Sequence, residues 1–136
     1  MATFAKPMPI PTPTAQPFWD ALAQHTIRIQ YSPSADSYVF YPRVLAPGTL
    51  ADDLEWRNIS GAGSLYTFTV AYRPVAPHFA EEVPQILAVV KWDEGPHFST
   101  EIVNADPAQL SVGMRVKPVF CDYPDDGVTM LRYEPA

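Results

Sequence analysis

Residues 29–56 read IQYSPSADSYVFYPRVLAPGTLADDLEW. With cysteine at Ser32, Ala35, Ala46 and Thr49 this stretch would hold two C-x-x-C pairs on tight turns, separated by residues 36–45. That is the spacing of a structural tetrahedral zinc site. None of the four residues present is a good zinc ligand, because the alanines carry no donor atom and the hydroxyls bind zinc poorly. The pattern predicts a hairpin module over residues 25–56 that keeps its scaffold without the metal. Residues 27–31 alternate as a strand, 32–37 turn, and 38–41 return. Structural zinc contributes on the order of 10 kcal/mol in small zinc-finger peptides. Here apolar contacts must replace it, with Tyr31, Tyr38, Phe40 and Tyr41 the candidates. The module is therefore expected to be docked on the rest of the chain.

Downstream the pattern is β throughout. Runs at 54–60, 64–73, 84–92, 97–103, 115–122 and 128–133 are separated by Gly, Pro and Asp punctuation. Counting the first two as one strand bent at a Gly61-Ala62-Gly63 bulge leaves five, the number an OB barrel needs. A short helical turn is predicted at residues 106–110, with Asp106 as cap and Pro107 at the first position. Upstream, residues 17–24 read as a short helix with Pro17 in its first turn and Phe18 and Leu22 on one side. Residues 1–16, with their MPIPTPT alternation, should run extended as a Pro-rich arm, either a disordered tail or a segment that orders on a partner's surface. The predicted fold is mainly β: arm (1–16), helix (17–24), metal-free hairpin module (25–56) and five-stranded OB-fold domain (57–136).

At 136 residues the chain is one domain, large enough to fold without metal or disulfide. The single cysteine, Cys121, excludes an internal disulfide and fits a reducing cytoplasm. The N-terminus has no apolar run, so neither a signal peptide nor a membrane span is expected. A net charge of −6 with basic residues scattered singly argues against nucleic acid, which needs a basic groove.

Catalytic groups are sparse. His25, His78 and His97 are far apart and none stands at metal-ligand spacing with another histidine or cysteine. Cys121 falls in an apolar run, the setting of an inert thiol. Asp93-Glu94-Gly95 and Asp125-Asp126-Gly127 read as hairpin loops. Gly61 and Gly63 lack the third glycine of a dinucleotide fingerprint. The candidate surface is the loop 73–83, where Arg73, His78 and Phe79 combine cations with apolar groups. That mixture suits an acyl chain on a phosphate-bearing carrier such as coenzyme A. Arg43, Lys91 and Arg115 are further phosphate candidates.

Several pieces in order carry a resemblance. They are Pro17-Phe18-Trp19, Tyr41-Pro42-Arg43, Leu54-Glu55-Trp56, the run SGAGSLYTFTV at 60–70, LAVV at 87–90, DEGP at 93–96 and VGMRV at 112–116. Together they resemble the DUF35 family, acyl-CoA-associated proteins with a rubredoxin-like zinc ribbon followed by an OB-fold. The chain departs from that family in its missing cysteines and in His97, where arginine commonly follows EGP. The resemblance implies a noncatalytic accessory subunit of a thiolase-like acyl-CoA enzyme (thiolase, aldolase or hydratase), with acyl-CoA as ligand and neither zinc nor bound cofactor. A homodimer is left open. The alternatives are a stand-alone acyl-CoA-binding protein, a thioesterase or hydratase using His78 or His97, and a single-strand nucleic-acid binder.

Overall fold

The structure is a computed structural model describing residues 6–136; residues 1–5, the start of the predicted arm, lie outside the described residues. Helix α1 (Gln16–Ala23) carries Pro17 in its first turn and buries Phe18 and Leu22. It ends at His25, whose φ of 56° brings its N–H to the Leu22 carbonyl at 2.9 Å.

Two sheets follow. In the first, β1 (Ile27–Ser32) lies between β2 (Ser37–Val39) and β3 (Glu55–Ile59), both antiparallel to it. The second contains β4 (Gly63–Ala71), β5 (Gln85–Trp92), β6 (His97–Ile102), β7 (Arg115–Tyr123) and β8 (Val128–Pro135). These strands close in the order β4-β5-β6-β8-β7, and β6 meets β8 in parallel where Ile102 faces Tyr133. This is the predicted five-stranded OB-fold barrel. The 3-10 turn Pro107–Gln109 lies between β6 and β7, where the Asp106 carboxylate accepts the Ala108 N–H at 2.9 Å.

One expectation is corrected. The run at 54–60 is not half of a bent barrel strand: it is β3, paired with β1 from Ile59 opposite Ile27 to Glu55 opposite Tyr31. The chain passes from one sheet to the other between these strands, and the glycines serve that crossing. Gly61 has a φ of 72°, and a Cβ there would lie 2.1 Å from Ile27 Cδ1. A Cβ on Gly63 would lie 2.4 Å from the Lys91 carbonyl oxygen, so the barrel can close only around a bare backbone. The register shift in the barrel falls instead between Leu65 and Thr67. A β pattern in sequence does not reveal its partner, which long-range packing selects.

Both sheets share one core. Phe18, Leu22, Ile27 and Ile29 cluster with Leu65, Val90, Trp92, Val116, Leu131 and Tyr133 of the barrel. Phe40 is the wedge between them, its ring 5.3, 5.2 and 5.4 Å from those of Phe18, Trp92 and Phe98. Tyr31 and Tyr38, opposite each other across β1 and β2, add an edge-to-face pair at 4.9 Å. The hairpin module is thus docked, as its lack of metal ligands requires.

The former ligand positions show what replaces the metal. Ser32 is fully buried, and its hydroxyl donates to Asp53 Oδ1 at 2.8 Å. Asp53 Oδ2 accepts the Ser34 N–H at 2.8 Å, while Ser32 Oγ accepts the Ala35 N–H at 3.3 Å. Both turns keep one backbone form: Asp36 and Leu50, each just after a lost second ligand, have φ of 50° and 57°. Ala46 is buried, and its N–H reaches the Ala51 carbonyl at 2.9 Å. Buried Gln30 clamps the Arg43 backbone, donating to its carbonyl and accepting its N–H, each at 2.7 Å. These residues do not fit zinc. Ala35 and Ala46 have no donor, and the Ser32 hydroxyl is committed to a carboxylate. The hydrogen bonds from Ser34, and then from Ser32, hold the Asp53 carboxyl below its ordinary range.

Candidate functional site

Residues facing each other across antiparallel strands share a face. On the outside of the barrel this gives three rows: Thr69, Leu87 and Glu101; Thr67, Val89 and Ser99; and Ser64, Lys91 and His97. The first two rows bound a cleft of about 520 Å³, apolar and hydroxyl-lined, closed on one side by Arg132. A second cleft of about 560 Å³ lies between α1, the ribbon return and the outer edge of β6 and β8. Its walls are largely aromatic, with Phe18, Trp19, Phe40, Tyr41 and Phe98, and it holds Arg43, His97 and Arg132. Ser99 and Arg132 line both, so the two clefts are neighbouring chambers that share a wall, and together they are called the groove.

At the junction Arg132 Nη2 lies 3.3 Å from Glu101 Oε2, with the two side chains 15% and 17% exposed. This neutral pair fixes the wall between the chambers. The cation available to an anion stands at the aromatic end, where Arg43 is exposed and the His97 ring lies tilted against that of Tyr66 at 4.4 Å. The Gln30 clamp fixes the backbone from which the Arg43 side chain projects. The far chamber begins at Thr69 and Leu87, beside the β4–β5 loop, and carries no unpaired charge of its own.

The sequence-predicted residues are divided by this geometry. Arg43 lines the groove. Lys91 lies beside it, opposite His97 across β5 and β6. Lys91 and Arg115 both pair with Ser64, which brings them to one row. Arg115, however, is held in a bidentate bond to Asp93 at 2.8 and 2.7 Å, so a phosphate there would have to displace a carboxylate. That guanidinium holds the Asp93 carboxyl below its ordinary range. Arg73, His78 and Phe79 sit on the β4–β5 loop, the last two in the 3-10 turn Pro77–Phe79, and line neither chamber. Instead the arm is strapped to this loop: Lys6 Nζ lies 2.6 Å from Glu82 Oε1 and 5.9 Å from the centre of the Phe79 ring.

The remaining chemistry is structural. Asp93-Glu94-Gly95 is the β5–β6 hairpin loop, but both carboxylates act: Asp93 clamps Arg115, and Glu94 Oε2 accepts the Ser60 N–H and hydroxyl at 3.2 and 2.8 Å. His25 Nε2 lies 2.9 Å from Asp122 Oδ2 and its ring stacks on Phe120 at 5.0 Å, at the end of α1 and outside the groove. Burial pushes the Cys121 thiol up, the reverse of what a nucleophile needs. Among the described residues no group of three or more His, Cys, Asp or Glu could hold a metal. No helix among them is long and apolar enough to cross a membrane.

Sequence reasoning missed Arg132, Glu101 and the aromatic wall. Alternation along β8 does put Arg132 on the face opposite Leu131 and Tyr133. Only the parallel closure of β6 on β8 brings it to Glu101.

A family model described as the C-terminal OB-fold domain of ChsH2 matches residues 56–121. The chain is 33% identical over 111 residues to the 3-oxo-4,17-pregnadiene-20-carboxyl-CoA hydratase alpha subunit of Mycobacterium tuberculosis, a match covering 79% of this chain and 34% of that protein. It is 30% identical over 91 residues to a DUF35 domain-containing scaffold protein of Methanothermobacter thermautotrophicus, covering 65% of this chain and 68% of that one. Among solved structures it superposes on a chain of the Ltp2-ChsH2(DUF35) aldolase with a TM-score of 0.81 at 24% identity, covering 94% of this chain and 98% of that chain. The chain spans about a third to a half of the length of the first curated relatives it matches.

Proposed function

The chain belongs to the DUF35 family, and from that premise we propose that it is a noncatalytic accessory subunit of an acyl-CoA enzyme with a thiolase-like partner. The observation that carries this reading is the groove. Its aromatic chamber with Arg43 and His97 suits a phosphate-bearing carrier, and its apolar chamber suits the acyl group. Among the described residues the histidine that lines it is His97, whose ring meets that of Tyr66, while His25, bonded to the Asp122 carboxylate, lies outside it. The relatives named as alpha subunits of hydratases support a place as one subunit of an acyl-CoA enzyme. The setting that follows is cytoplasmic acyl-CoA metabolism, with no zinc or other cofactor resident in this chain.

The test is co-purification of the tagged chain from its native host at its own expression level. A thiolase-like or hydratase enzyme in near-equal amount is the expected result, with turnover confined to the complex. Recovery of the chain alone would overturn the reading. Within the complex, Arg43→Ala is expected to raise the Kd for an acyl-CoA about tenfold, the scale of one lost charge-assisted bond. Calorimetric titration would measure it, and an unchanged Kd would remove Arg43 from the site.

A further inference from the structure

The Arg132 side chain is 15% exposed and lines both chambers, yet it has one hydrogen-bonding partner in the protein. That partner is Glu101, whose Oε2 lies 3.3 Å from Arg132 Nη2; among the described residues no other group hydrogen-bonds to Arg132. A guanidinium offers five N–H donors. Buried polar groups are normally hydrogen-bonded, because giving up water without a replacement costs stability. Arg132 therefore brings unspent donors to the wall that the two chambers share.

The strands that carry this pair are locked together beside it. The Thr100 hydroxyl donates to the Leu131 carbonyl at 2.8 Å on one side, and Ile102 meets Tyr133 in parallel on the other. The donors are thus fixed before any ligand arrives, which lowers the entropy cost of using them. Glu101 then decides which acceptor fits. An anion would approach a guanidinium already neutralised by a carboxylate and would be repelled by that carboxylate. An uncharged oxygen, such as a carbonyl, meets the remaining N–H groups without that repulsion.

We infer that Arg132 holds the thioester carbonyl of an acyl thioester whose acyl group lies in the apolar chamber and whose carrier lies in the aromatic one. In such a molecule the thioester divides the apolar chain from the polar carrier. Arg132 stands at the matching place in the protein, between the chamber of Leu87 and Val89 and the chamber that holds Arg43. Its role is to bind and orient: the carbonyl oxygen accepts an N–H, and no bond is made or broken. The inference rests on the groove as the acyl-CoA site and adds the group that is recognised there.

The test titrates the full chain calorimetrically with octanoyl-CoA and with S-octyl-CoA, the thioether in which a methylene replaces the carbonyl. Wild type should bind octanoyl-CoA about tenfold more tightly, the scale of one hydrogen bond to a charged donor. The double variant Glu101→Met/Arg132→Met removes the pair without stranding either charge, and it should bind both compounds with the same Kd. A purely structural pair would leave the preference for the thioester in place; that result, or no preference in wild type, would overturn the inference. Glu101→Gln keeps an acceptor for Arg132 and tests the charge argument even if the double variant does not fold. It should bind octanoate about tenfold more tightly than wild type does, because its guanidinium is no longer neutralised. No gain for octanoate would also overturn the inference. A wild-type chain that binds neither coenzyme A compound would remove the groove as the acyl-CoA site, and this inference with it, while the partner found by co-purification would still decide the accessory role.

Discussion

Tyr133, fully buried, joins the two sheets through one hydroxyl: it accepts the Trp92 indole N–H at 2.5 Å and donates to the Gly61 carbonyl at 2.6 Å. Gly61 lies on the crossing between the sheets, so this hydroxyl fixes where the ribbon meets the barrel. Tyr133→Phe would strand a buried donor and a buried acceptor. The expected loss is about 1–3 kcal/mol in unfolding free energy, measured by urea denaturation; an unchanged midpoint would show that water replaces the hydroxyl. Glu94 acts on the same crossing through Ser60. The sequence marks Glu94 as a turn residue and Tyr133 as one of an alternating strand, and both assignments hold. Their bonds to residues more than thirty positions away were not legible, because a hydrogen bond of that separation depends on the closed topology.

At the scale of the element, the ribbon is held by a carboxylate where a metal is missing. Asp53 draws in Ser32 and Ser34 from the first turn, and the two donors hold its carboxyl below the ordinary value of 3.8. Because the folded-state pKa is depressed, this stabilisation is complete above about pH 5 and is lost as pH falls through the folded value. Asp93, paired with Arg115, and Asp122, bonded to Thr129 and His25, act in the same direction. The melting temperature is expected to fall between about pH 5 and pH 2. Asp53→Asn should lower it at neutral pH and flatten that acid limb. An acid limb as steep as wild type would mean that the Asp53 bonds do not contribute. The loss of metal ligands was plain in the sequence. The replacement was not, because Asp53 lies outside both C-x-x-C spacings and looks like an ordinary loop acid.

For the whole molecule, the shared core of α1, ribbon and barrel makes separate melting of the ribbon unfavourable. One cooperative transition is expected by calorimetry, unaffected by a chelator, since Phe40, Gln30 and Asp53 supply the cross-links. A chelator-sensitive shift, or a second low-temperature transition, would contradict this account. Taken alone, the sequence determined the element types, the five strands of the barrel, the capped turn before β7 and the absence of good zinc ligands. Each of these depends on local periodicity, turn chemistry or donor identity, which neighbouring residues carry. Tertiary structure alone decided that β3 joins the ribbon, that Arg132 meets Glu101, and that Arg43 lines a groove while Arg115 is tied to Asp93. Those outcomes depend on which distant strands pair and in what register, which is settled by burial of the common core.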